Sequence, residues 1–153
     1  MTQNPLCRLP RPICWQKFGR LRPSCKPGLS AELLLERFAH DDFCYLTTLG
    51  RRSGRAHRIE IWFAVHDGTL YMLAGGRERS DWVRNLTVEP RVTIELGDRT
   101  FVAMARVLAA GTDEDALARR LLVEKYSPRE SNLEGWGRSA LPVAFDIPAP
   151  DRA

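Results

Sequence analysis

Twelve consecutive residues, Thr47-Thr48-Leu49-Gly50-Arg51-Arg52-Ser53-Gly54-Arg55-Ala56-His57-Arg58, gather the groups best suited to a multiply charged anion. They include four arginines, one histidine, two glycines and three hydroxyls, with no acid among them. Arginine offers a planar fork of donors to phosphate or carboxylate, and glycine lets the backbone come close to a ligand. Apolar runs flank the segment, Phe43 to Leu46 before it and Ile59 to Val65 after it. The spacing predicts a basic turn between two strands, with a solvated basic hairpin as the alternative reading.

Further candidates follow in order. Ala74-Gly75-Gly76 ends the next strand-like run, where glycine would allow a flat ligand against the backbone. Ser80-Asp81-Trp82-Val83-Arg84-Asn85-Leu86 opens a short helix that stops before Pro90. Its N-terminus offers free N–H groups, although Asp81 already supplies negative charge there. Phosphate is therefore expected mainly on Arg51, Arg52, Ser53 and His57. No G-x-G-x-x-G, G-K-[ST] or H-E-x-x-H occurs, which removes the common dinucleotide, P-loop and zinc-protease readings.

The ordered set T-T-x-G-R-[RK]-S-G, an apolar strand with an aromatic, A-G-G, W-x-x-N-L and a proline resembles the deazaflavin-dependent nitroreductase family. The resemblance covers roughly Phe43 to Val107, and more weakly the chain to Ile147. It implies a split β-barrel of the FMN-binding type that binds coenzyme F-420, a deazaflavin with a phosphate and an oligoglutamate tail. It further implies hydride transfer to an electron-poor acceptor, such as a quinone, a nitro compound or a conjugated carbonyl. Carried over by position, Arg51, Arg52 and Ser53 fall in the tail-binding loop, with His57 beside it. Ile59, Glu60, Ile61 and Trp62 would pass beside the ring system, Ala74, Gly75 and Gly76 under it, and Asp81, Trp82 and Asn85 on the ring-side helix. Tyr126, with Trp62, would line the acceptor side and possess a proton to donate.

The same residues have plainer readings. Trp62 would cover the outside of the barrel, Trp82 anchor its helix, Asn85 cap local backbone and Tyr126 pack at a helix end. The chain also departs from the family pattern. Ile59-Glu60-Ile61-Trp62 stands where many members place a proline before the aromatic, and Ser80-Asp81 replaces a proline before the helix tryptophan. Tyr126 to Asn132 replaces a tyrosine-rich stretch. These departures bear on the acceptor, making a quinone as fitting as a nitro compound. An FMN enzyme of the same fold, or a non-catalytic binder of a deazaflavin or lipid-like ligand, stays open as an alternative.

The elements that must position these groups alternate along the chain. Ser30 reads as the N-cap of a helix ending near His40. Ile59, Ile61, Phe63 and Val65 lie on one face of a strand, with Arg58, Glu60, Trp62, Ala64 and His66 on the other. Asp67-Gly68 and Gly97-Asp98 mark hairpin turns, joining Thr69 to Ala74, Val92 to Leu96 and Thr100 to Leu108 as further strands. Thr112 caps a second helix carrying Leu117, Leu121 and Leu122 and ending at Tyr126 before Pro128, and Leu141 to Ile147 closes the sheet. Five or six antiparallel strands with small flanking helices predict a mainly β fold with α additions.

Charge divides the 153 residues in two. Residues 1–29 carry six basic residues and no acid, while the rest holds 17 basic against 19 acidic, so the net +4 belongs to the N-terminal segment. Five of the ten prolines fall there as well. Residues 1–28 therefore read as a basic, proline-rich, disordered extension, and 29–153 as one cofactor-binding domain. Trp15 and Phe18 among basic residues suit contact with an anionic membrane surface. With basic charge concentrated in one loop, a nucleic-acid reading of the domain is weakened, and no nucleic-acid partner is expected. No secretory or membrane-spanning run is present, and Cys7, Cys14, Cys25 and Cys44 form no C-x-x-C pair. These features suggest a cytoplasmic monomer or homodimer with free thiols and no metal.

Overall fold

The structure, a computed structural model, describes residues 29–148. The expected N-terminal extension lies outside the described residues. Seven strands form one sheet: β1 (Cys44–Leu49), β2 (Ala56–Ile61), β3 (Ala64–His66), β4 (Thr69–Ala74), β5 (Arg91–Leu96), β6 (Arg99–Val107) and β7 (Leu141–Asp146). Their spatial order is β2-β1-β5-β6-β7-β4-β3, and every pairing is antiparallel. The helices are α1 (Leu29–Glu36), α2 (Asp81–Val88), α3 (Asp113–Tyr126) and α4 (Leu133–Ser139).

β2 and β3 are the two edges of this sheet, yet only Trp62 and Phe63 separate them in the chain. Three residue steps span at most about 11 Å, so the edges must come together and the sheet curls into a split barrel. The expected single strand from Ile59 to Val65 is thus two strands. The alternation continues across the break. Ile59, Ile61, Phe63 and Val65 all face the interior, while Trp62 and Ala64 pack on the other side.

The interior holds Leu46, Phe63, Leu70, Met72, Ile94, Leu96, Val143 and Phe145, all fully buried. Each such side chain contributes roughly 1.5–3 kcal/mol by leaving water. A second cluster lies where α3 covers the outer face, with Ala118, Leu122 and Tyr126 on Ala64, Tyr71, Leu73 and Ala144. β4 and β7 are therefore buried on both faces, which is why they read as unbroken apolar runs.

Some local expectations shift. α1 begins at Leu29, so Ser30 sits within its first turn rather than before it. Thr112 does cap α3, accepting from the Asp115 N–H at 3.1 Å. The buried stripe of α3 runs through Asp115, Ala118, Leu122 and Tyr126, and leaves Leu117 half-buried. α4 was not expected. Among the described residues Cys44 is a free, buried thiol pushed up to about 12 by burial, and no acid, histidine and cysteine group suits a metal.

Candidate functional site

The turn between β1 and β2 closes on itself. The Gly50 N–H donates to the Arg55 carbonyl at 2.7 Å, and the Gly54 N–H to the Gly50 carbonyl at 2.8 Å. A Cβ on Gly50 would lie 2.6 Å from both His57 Nε2 and Ser53 Oγ, so glycine lets both groups approach the backbone of the turn. α2 packs beside it, starting at Asp81 after the Gly75-Gly76 corner that follows β4 and a 3-10 turn at Arg77–Arg79.

Between turn and helix lies an open cleft of about 510 Å³. Arg51, Arg52, Ser53, His57, Ile59, Asp81, Trp82 and Asn85 line it together with Thr48 and Gly50. Eight of the residues expected to bind a cofactor are thus brought into one cavity. Glu60, Ile61 and Trp62 line a second hollow with Leu73 and Trp136. Ala74 is buried with Val83 and Leu141 beneath α2, while Gly75 and Gly76 are exposed at the corner. Trp82 both anchors its helix in the apolar interior and walls the cleft.

The four arginines of the turn differ in role. Arg51 is half-buried and held. Its backbone N–H and its Nη1 donate to Asn85 Oδ1 at 3.1 and 3.0 Å, and its Nη2 lies 3.3 Å from Asp81 Oδ1. Arg58 alternates to the opposite face, where it donates to Glu95 at 2.7 Å and covers the Tyr45 ring at 3.6 Å. Its hydrogen bond to Glu95 raises its pKa further. Arg52 and Arg55 make no side-chain bond among the described residues, and Arg52 is exposed and lines the cleft.

Asn85 is buried, and Nδ2 donates to Thr48 Oγ1 at 3.2 Å. It therefore does fix local backbone, joining α2 to β1 and to the turn. Thr48 and Gly50 escaped the sequence reading as lining residues, although both stand in the T-T-L-G run.

The candidate Tyr126 stands at the β2–β3 break. It lies in neither hollow, is buried, and its hydroxyl is committed to the backbone at the β2–β3 break. It accepts from the Phe63 N–H at 3.1 Å and donates to the Asp42 carbonyl at 2.8 Å. The Phe63 carbonyl accepts from Lys125 Nζ at 2.9 Å. These bonds replace the strand ladder where the chain crosses between edges, the position a buried backbone amide must fill. Burial pushes the Tyr126 hydroxyl up to about 12 and the Lys125 amine down to about 8. The Tyr126 ring stacks on Trp62 at 4.4 Å, and Trp62 meets Trp136 edge-on at 5.8 Å.

A curled antiparallel sheet with a basic, glycine-closed turn beside an open cleft has the architecture of the split-barrel class. Residues 31–148 match the F420H2-dependent quinone reductase family, and the chain belongs to it. It is an oxidoreductase that uses the reduced form of coenzyme F-420.

Solved structures share the fold. An F420-H2 dependent reductase (FDR-A) is 23% identical with a TM-score of 0.57, covering 70% of this chain and 94% of that one. A conserved hypothetical protein from Mycobacterium tuberculosis is 22% identical with a TM-score of 0.59, covering 78% and 80%. A putative pyridoxamine 5'-phosphate oxidase from Listeria innocua is 12% identical with a TM-score of 0.58, covering 77% and 93%. At these identities the likeness establishes architecture alone. No curated protein matches the sequence significantly.

The donor set fits the cofactor. Arg52, Ser53 and His57 form an exposed cationic and hydroxyl rim suited to phosphate and carboxylates, and Ile59 and Trp82 give an apolar wall for a flat ring.

Proposed function

We propose that the protein reduces a small quinone-type acceptor, with the phosphate and tail of F-420 on Arg52, Ser53 and His57 and its ring along Ile59 and Trp82 toward Gly75. The observation that carries this reading is the cleft that joins the uncommitted Arg52 of the turn to the apolar wall of Ile59 and Trp82. When bound, the deazaflavin supplies the hydride. The chain orients it and shields one face from water. Arg51, tied to Asn85 and Asp81, holds the turn in shape rather than gripping the ligand itself. Hydride transfer itself requires no side chain in the cleft to take or give a proton.

The test is a parallel titration of the full chain with F-420 and FMN, followed by quinone-dependent oxidation of the reduced deazaflavin. F-420 should bind at least about tenfold tighter than FMN, because FMN lacks the carboxylate tail for the exposed rim. Equal or tighter FMN binding would make this an FMN enzyme of the same fold. F-420 binding without turnover on any quinone or nitro acceptor would make it a ligand carrier.

The same proposal includes contact of residues 1–28 with an anionic membrane surface, supported by their six basic residues and by Trp15 and Phe18. Co-flotation with phosphatidylserine vesicles, lost on deleting 1–28, tests it. Among the described residues no helix is long and apolar enough to cross a membrane.

A further inference from the structure

The second hollow, of about 270 Å³, lies at the C-terminal end of β2, the strand whose Ile59 lines the first. Ile59 in the cleft and Ile61 in the hollow share one face of the strand, two residues and about 7 Å apart. Arg51 and Arg52 line the cleft beside Gly50, and two tryptophans, Trp62 and Trp136, line the hollow.

Trp136 has a feature that packing does not require. Its indole N–H has no hydrogen-bond partner among the described residues, and no buried side-chain nitrogen there lacks one, so this donor is open to solvent. A Cβ on Gly75 would sit 3.3 Å from Trp136 Nε1, so the missing side chain of Gly75 keeps the approach to that N–H clear. Glu60 is the one charged residue in the lining, which disfavours an anionic ligand.

We propose that Trp136 determines the acceptor: its N–H donates to a carbonyl oxygen of a neutral, planar quinone held on Ile61 and Leu73 against Trp62. This rests on the function proposed above. Reduction of the quinone to the hydroquinone takes a hydride from the reduced deazaflavin and one proton from water. Trp136 keeps its own proton and stabilises the oxygen on which negative charge gathers.

The test uses the full chain, reduced F-420 and menadione. Trp136→Phe keeps an aromatic wall and removes the donor. It should raise the menadione KM about three- to tenfold, the worth of one neutral hydrogen bond, while the Kd for F-420 holds. Gly75→Ala retains the indole but crowds its N–H, and should raise the same KM. An unchanged menadione KM in Trp136→Phe overturns the proposal while leaving the F-420 reading intact. An equal rise in the F-420 Kd also overturns it, by assigning Trp136 to the cofactor. Failure of the unmodified chain to bind F-420 overturns the function itself and this proposal with it.

Discussion

Asn85 Oδ1 accepts two hydrogen bonds from one residue, the Arg51 backbone N–H at 3.1 Å and Arg51 Nη1 at 3.0 Å. A buried amide on α2 thereby sets both the backbone and the side chain of the basic turn. Since Asn85 also donates to Thr48, the W-x-x-N spacing couples helix, strand and turn in one place.

Asn85→Ala should therefore act on the turn as a unit. The loss should be about 1–3 kcal/mol of stability, because Thr48 and Arg51 lose buried partners. It should also weaken F-420 binding, although Arg52 is untouched. Arg51→Ala should weaken binding similarly, and the double variant should be no worse than the more harmful single one. Additive losses in a double-mutant cycle would show that the two residues act separately.

Tyr126→Phe tests the latch at the β2–β3 break. Removing the hydroxyl leaves the Phe63 N–H without its acceptor, at a cost of about 1–3 kcal/mol in stability. Quinone turnover at saturation should persist. A drop in turnover with stability unchanged would return Tyr126 to the acceptor side.

Lys125 should leave a signature in the pH dependence of stability. Burial holds its folded pKa at about 8, below the ordinary 10.5. Between those values the unfolded chain binds more protons than the folded one, so stability rises with pH from this residue. The destabilisation is fully present below about 8 and is relieved toward 10.5. Cys44 opposes it above its ordinary 9.0, since the folded thiol retains its proton. The clean window is therefore pH 8 to 9. The unfolding midpoint of the unmodified chain should rise relative to that of Lys125→Met there as pH rises. A constant difference across that window would contradict a depressed amine.

Much of the candidate site was legible because its cleft-lining residues are local runs. Arg51 to His57 form one turn, and Asp81 to Asn85 one face of one short helix. The division of labour between neighbouring arginines was not legible. Arg51 is held by partners 34 and 30 positions away, and nothing in R-R-S distinguishes it from Arg52. The break at Trp62-Phe63 was hidden for a similar reason. Alternation continues through it, no glycine or proline marks it, and the hydroxyl that stabilises it stands 63 positions away. α4 was missed because Gly135 and Gly137 dilute a seven-residue helix, and with it went Trp136.

The most direct measurement compares Arg52→Ala with the unmodified chain on F-420 and on a truncated deazaflavin lacking phosphate and tail. At low salt the variant should lose about one to two decades of affinity for F-420, the worth of a charge-assisted contact of roughly 1.5–3 kcal/mol. The loss should shrink as salt screens the exposed guanidinium. Affinity for the truncated ligand should hold. Equal losses for both ligands would mean that Arg52 supports the turn without touching the tail, and no loss for either would contradict the placement of the cofactor in this cleft.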